Sequence, residues 1–236
     1  MRGCLTFITL WLVVAVLAIW FALPPVLSGV AAAGLSAAGF SGQDTVVTVD
    51  ASPPLKLASL HADDVTIKST QATLHDLHMA SVDLTLHDVA LVDRTFDRLD
   101  GTLTGVRFQP PGAGTFQASR VTVTGPPGAA LLNISLTPGD VRAVASSAGE
   151  ASLGAAPTEV VLAAPDRITF TIAGRSVAGR LAIDSGGALV LRPSSGPVAS
   201  VDLLRPTPNL PLKLRSFAVT SGGLAVVGTI DLSQLR

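Results

Sequence analysis

The chain has no tyrosine, a single cysteine (Cys4), and only 14% charged and 4% aromatic residues among its 236. Each shortage removes a class of chemistry. One cysteine permits no intramolecular disulfide and no Cys-rich zinc or iron–sulfur site. Without tyrosine there is no phenolic acid, base or nucleophile. A net charge of −1 lacks the basic excess of a nucleic-acid binder. The spacings G-x-S-x-G, H-E-x-x-H, G-x-x-x-x-G-K-[ST] and G-x-G-x-x-G are all absent. The expectation is therefore no enzyme, no cofactor, no metal and no nucleic-acid partner.

What the chain does have is apolar sequence, 48% of it. Between Arg2 and Asp44 there is no charged residue, and residues 5–23 (LTFITLWLVVAVLAIWFAL) are nearly unbroken hydrocarbon. A helix of that length reaches about 28 Å, close to the ~30 Å core of a bilayer. Trp20 and Phe21 stand at its far end, where aromatic rings favour the interface, and Pro24-Pro25 stop it. This run is read as an uncleaved signal-anchor over 1–28. The competing reading, a cleaved secretory signal, needs an h-region of about 7–15 residues, shorter than this one. Either way Arg2 stays inside and the remainder is extracytoplasmic, tethered to the cell membrane or, after cleavage, secreted or periplasmic. Residues 29–44 form an Ala/Gly-rich membrane-proximal linker, either helix or tether.

From 45 to 236 the period changes to two. Val47/Val49, Leu55/Leu57, Val65/Ile67, Val82/Leu84/Leu86, Ile168/Phe170/Ile172, Leu212/Leu214 and Leu224/Val226 alternate with polar or small residues, the pattern of strands with one apolar face. Gly125-Pro126-Pro127-Gly128, Ser185-Gly186-Gly187 and Ser221-Gly222-Gly223 read as turns. At Asp88 the apolar phase slips from Leu86 to Val89, which predicts a β-bulge. One helix is signalled by Thr137 as N-cap, Pro138 at the first helical position and Asp140 three residues after the cap. Val141, Val144, Ala145 and Ala148 then fall on one face. A second, short helix is expected near 198–204. The fold class is mainly β with one or two helices (α+β). The stretches PLKLASL (54–60) and PLKLRSF (211–217) echo one another, either as corresponding strands or by chance.

All four histidines lie between 61 and 87 among several aspartates, a composition that fits either a His/carboxylate metal set or polar-face histidines. His75 and His78 have opposite strand parity and cannot share a face, and His87 continues an exposed polar face. Polar-face histidines are expected. Charge is uneven: residues 61–100 hold eight acids and three bases, residues 101–236 eleven bases and seven acids. Ten of those eleven bases are arginine, whose fork suits phosphate. They are either a scattered solvated surface or a head-group site.

Several of these stretches together resemble one family. Residues 47–67 (VTVDASPPLKLASLHADDVTI) are similar to its opening strand, proline–leucine corner and second strand. Residues 82–89 (VDLTLHDV) resemble its "l-x-l-x-l-x-d-V" strand, residues 136–141 (LTPGDV) its "L-T-x-x-D-L" helix start, and 210–226 its closing hairpin. The chain resembles the LmeA-like family of bacterial phospholipid-binding proteins, related in fold to the tubular lipid-binding (TULIP) group. The resemblance implies a curved antiparallel sheet wrapped around a helix, with an aliphatic inner face for phospholipid acyl chains. It implies no catalytic residue. On that face the candidates are Val47, Val49, Leu55, Leu57, Val65, Ile67, Leu84, Leu86, Ile168, Phe170 and Ile172. The reading is a membrane-anchored envelope protein that binds phospholipid and shuttles or presents it. The alternative is an anchored scaffold or adaptor with a filled β core and an envelope protein partner.

Overall fold

A computed structural model describes residues 29, 32–37, 39–74, 76–93, 95–108, 116–153, 156–172, 174–194, 200–204, 212–220 and 222–234. The apolar run 5–23 lies outside them. Among the described residues no helix is long and apolar enough to cross a membrane.

The alternating segments become two antiparallel sheets. The first strands are β1 (Phe40–Asp50), β2 (His61–Leu74), β3 (Leu77–Ala90), β4 (Arg98–Phe108), β5 (Phe116–Gly125) and β6 (Ala130–Leu136). After the helix Pro138–Leu153 come β7 (Glu159–Ala163), β8 (Arg167–Ile172), β9 (Arg175–Ile183), β10 (Leu189–Pro193) and β11 (Val201–Leu204). The hairpin β12 (Leu212–Thr220) and β13 (Gly223–Ile230) closes the chain. The large sheet has the order β1-β2-β3-β4-β5-β6-β13-β12; the small one is β11-β10-β9-β8-β7. The expected single sheet is thus two, the second inserted between β6 and the closing hairpin. The large sheet starts at Phe40, ahead of Thr45.

The helix begins as its sequence predicts. The Thr137 hydroxyl accepts from the Asp140 N–H (3.2 Å), while Asp140 Oδ2 accepts from the Thr137 N–H and hydroxyl (2.8 Å each). This is a capping box with Asp in the acidic position, and Asp140 is buried. Val141, Val144 and Ala145 are buried against the core; the side chain of Ala148 lies outside the described part. The helix touches β5, β6 and β13 on one side and β7 and β11 on the other, so it is wedged between the sheets. Phe170, Ile168, Leu189 and Leu191 meet Val121, Ile134 and Val226 in the same core. The Leu214 N–H also donates to the Gly187 carbonyl (3.3 Å), tying the β9–β10 turn to the large sheet. Thr137→Ala and Asp140→Ala should each cost about 1 kcal/mol, as loss of a cap does, read from thermal unfolding by far-UV circular dichroism.

Two lines of backbone interruption bend the long strands. In β2–β3 the pairing steps from Thr70↔Ser81 to Ala72↔Met79, bypassing Gln71 (φ 49°) and Ala80. The same line crosses β4 at Gly105 (φ 55°), between Thr104↔Arg120 and Val106↔Ala118. A Cβ on Gly105 would meet the Ala80 methyl at 2.8 Å, so glycine serves both the left-handed backbone and the close approach. The second line is at Asp88 (φ 51°), between Ala62↔Val89 and Asp64↔His87. The phase slip predicted there is real, but one residue is bypassed on each strand and no extra residue enters. Each interruption moves the buried positions to the other parity, which keeps one face apolar along the whole bent strand.

Two local expectations are corrected. Pro54–Ser59 is a 3₁₀ helix rather than strand, ended by Leu60 in the left-handed conformation (φ 57°). Pro54 at the first helical position forbids a ladder hydrogen bond there. The echo of 54–60 in 211–217 therefore has no structural counterpart, since Leu212 and Leu214 lie in β12. Residues 201–204 form β11 rather than a helix.

Candidate functional site

The inner face of the large sheet is a set of apolar rows running from strand to strand. One row reads Val47, Ile67, Leu84, Gly101, Val123, Leu132, Gly228 and Leu214 across all eight strands. The next reads Val49, Val65, Leu86, Leu99, Gly125, Ala130, Ile230 and Leu212. The helix and the small sheet cover the β5, β6, β13 and β12 end of these rows. At the other end Leu57 of the 3₁₀ turn packs on Val47, Val49, Val65 and Ile67, with Ala32 and Leu35 of the helical stretch 32–37 beside them.

Between the two covers the face is only half closed. Leu84, Leu86, Leu103 and Leu132 are half-buried, although each points from the inner face. Leu84 packs against all three apolar clusters of the described residues: the main core, the Val47–Leu57 cluster, and a third around Leu99, Val123 and Ile230. Leu84 also leans over Gly101, where a Cβ would collide with its Cδ2. A trough of branched aliphatic side chains, centred on Leu84 and free of charge, results. Such a surface recognises hydrocarbon by area alone, at about 0.8 kcal/mol per buried methylene.

A family model for LmeA-like phospholipid-binding proteins matches residues 21–229, most of the chain. This protein belongs to the LmeA-like phospholipid-binding family. No curated protein and no solved structure matches it significantly. Membership makes lipid the ligand class, and the trough offers the LmeA-like chain a half-closed aliphatic surface for it.

The structure divides the predicted site residues. It brings together Val47, Val49, Leu57, Val65, Ile67, Leu84 and Leu86 around the trough. Leu55 is in the 3₁₀ turn, its side chain outside the described part. Ile168, Phe170 and Ile172 belong to β8 of the other sheet; Ile168 and Phe170 are 1% exposed in the main core, with Ile172 packed against it. They belong to the main core between the sheets, apart from the Val47–Leu57 cluster. Residues that sequence reasoning missed are Leu99 and Leu103 on β4, Leu132 on β6 and Val89 beyond the Asp88 kink.

The outer face of the large sheet is polar and carries one connected network. His87 is expected to be solvated, yet its Nδ1 lies 2.5 Å from Asp64 Oδ1 and its Nε2 3.1 Å from Asp100 Oδ2. A neutral ring donates only one of these bonds, and the doubly protonated ring donates both. Asp100 also accepts from Arg98 Nε (2.9 Å) and Nη2 (3.1 Å) and from the Thr124 hydroxyl. His78 is exposed beside Thr73, and His75 lies outside the described residues. Among the described residues no group of three His, Cys, Asp or Glu has the geometry to hold a metal.

The Arg98 guanidinium first, and the Thr124 hydroxyl second, hold the Asp100 carboxyl below its ordinary 3.8, at about 2. A depressed carboxylate contributes stability above its unfolded value, and that contribution is lost as pH falls from about 4 towards 2. Asp100→Asn should therefore flatten the acid limb of the urea-midpoint profile in that window and leave the profile's shape above pH 5 unchanged.

Proposed function

We propose that this LmeA-like protein is held at the bacterial cell membrane by its N-terminal segment and binds phospholipid acyl chains in the trough around Leu84, on the extracytoplasmic side. From there it presents or shuttles the lipid; it catalyses nothing. The observation that carries the reading is the half-buried group Leu84, Leu86, Leu103 and Leu132, an aliphatic surface left open between two covers in a member of a phospholipid-binding family. A filled core of the scaffold type would bury these leucines as fully as Val226 or Ile168. The uncharged run 5–23 supports the anchor, and the position of Arg2 supports the orientation.

The test is photo-crosslinking of the full chain, reconstituted in vesicles containing a phospholipid with a diazirine in its acyl chain. Adducts are expected on peptides spanning residues 82–86 and 99–103. Adducts confined to residues 1–28 would leave the anchor and remove the trough. Protease accessibility in bacterial cells making the full chain reads the side of the membrane: a domain digested once the extracytoplasmic face is exposed agrees with the proposal, and one cut only from the cytoplasmic face contradicts it.

A further inference from the structure

The small sheet carries an electrostatic feature that acyl-chain binding does not use. Arg167 on β8 pairs directly with Arg180 on β9, and Arg180 pairs with Arg192 on β10. Three arginines thus form one row across three adjacent strands. Neighbouring strands lie about 4.8 Å apart. All three side chains are exposed, on the face opposite Ile168, Leu181 and Leu191, which point into the core. Like charges directly opposite one another destabilise a sheet, and none of these arginines forms an ion pair among the described residues. Elsewhere among the described residues Lys56, Lys68 and Arg98 are matched with Asp63, Asp83 and Asp100, and of the other exposed bases, Arg107, Arg120, Arg142, Arg175, Lys213 and Arg215, no two face each other in a ladder.

The surroundings narrow what the row accepts. Arg180 and Arg192 line an open cleft of about 470 Å³ together with Ala182, Pro193, Ser194 and one acid, Asp166. Two more acids lie in neighbouring rows: Glu159 at the far end of β7, two rows away, opposite Thr171, and Asp202 on β11, opposite Val190 and one row from Arg192. Next to the arginines stand Ala178 and the half-exposed Val161, so the guanidinium groups project beyond short, mostly apolar neighbours. A row of exposed guanidinium groups beside an open cleft complements a layer of phosphates. Arginine's planar fork binds phosphate oxygens in pairs. The chain as a whole, at −1, has no general attraction for polyanions.

We propose that the outer face of the small sheet docks on an anionic phospholipid bilayer, with Arg167, Arg180 and Arg192 on its phosphate layer. This contact is separate from the trough and fixes how the domain stands on the membrane. Each arginine at such a surface contributes about a fivefold factor, so the row favours the docked state by roughly a hundredfold.

The experiment uses the full chain with Cys4→Ser and Ala178→Cys, labelled at that one thiol with an environment-sensitive fluorophore and assembled with nanodiscs. Discs of phosphatidylcholine are compared with discs containing a third phosphatidylglycerol. The expected result is a blue shift on the anionic discs alone, reversed by 0.5 M salt. Replacing all three arginines (R167Q, R180Q, R192Q) should lower the docking constant roughly a hundredfold, while diazirine-lipid labelling of residues 82–86 stays unchanged. An equal shift on both discs, no shift on either, or a shift that survives the triple replacement overturns the proposal. A row that serves an acidic protein instead leaves the probe unmoved by lipid, which overturns it as well. Trough labelling is read on the same samples, so the two sites fail or stand independently.

Discussion

Phe170→Ala should lower the unfolding free energy by about 3–5 kcal/mol, the cost of deleting a buried ring, and leave acyl-chain labelling of the folded fraction intact. Phe170 is 1% exposed and packs in the main core between the sheets. Its removal leaves a cavity against neighbours fixed by the β8 ladder on both sides, at Val160 and Val177. Those strands cannot close in without breaking register, so relaxation is limited. The measurement is urea unfolding followed by far-UV circular dichroism, because both tryptophans lie within the first 20 residues and the chain has no tyrosine. Intrinsic fluorescence is blind to this core. A stability loss below about 1 kcal/mol, or lost trough labelling at full helicity and strand content, would return Phe170 to the lipid site.

The contrast between Phe170 and Leu84 marks what period-two patterning can and cannot carry. Alternation assigns a residue to a face, and it did so correctly at Val47, Val65, Leu84, Ile168 and Phe170. It does not say which sheet the face belongs to. Two sheets that share one core print the same pattern on every strand, so Ile168-Thr169-Phe170 and Val65-Thr66-Ile67 look alike. The kink at Asp88 was legible because large residues, Leu86 and Val89, flank it. Its twin at Gln71 passes between Ser69 and Ala72, too small to register a change of phase. Strand β4 escaped notice because Gly101 interrupts Leu99 and Leu103, and that glycine is where Leu84 leans across the trough. The helix start was readable from three local residues, Thr137, Pro138 and Asp140, whose hydrogen bonds involve nothing distant. The 3₁₀ corner was not, because its hold is remote. Asp63, freed from the β2–β3 ladder, binds the Ser52 N–H (2.5 Å) and Lys56 Nζ (2.6 Å) and pins the turn from the side.

Leu84→Asp should abolish acyl-chain binding at neutral pH and restore much of it in acid. Empty, the trough is open enough for water to reach a carboxylate at this position, so the folded state tolerates the change. A lipid chain lying over Leu84 removes that water, and a carboxylate against hydrocarbon takes up a proton sooner than stay charged. Binding must then supply the work of protonation, about 1.4 kcal/mol for every pH unit above the free carboxyl value near 4. At pH 7 the ceiling is roughly a thousandfold, and about a hundredfold loss is expected after partial hydration of the bound state. The penalty shrinks as pH falls, so labelling by the diazirine lipid should recover between pH 7 and 4.5, while the parent protein stays flat over that range. Leu84→Ala, which removes the same contacts without adding charge, should lose only a few-fold in binding, with no pH dependence. The two variants separate lost packing from buried charge. Equal, pH-independent losses in both would mean that Leu84 supports the sheet from within a filled core, and the trough would have to be sought elsewhere.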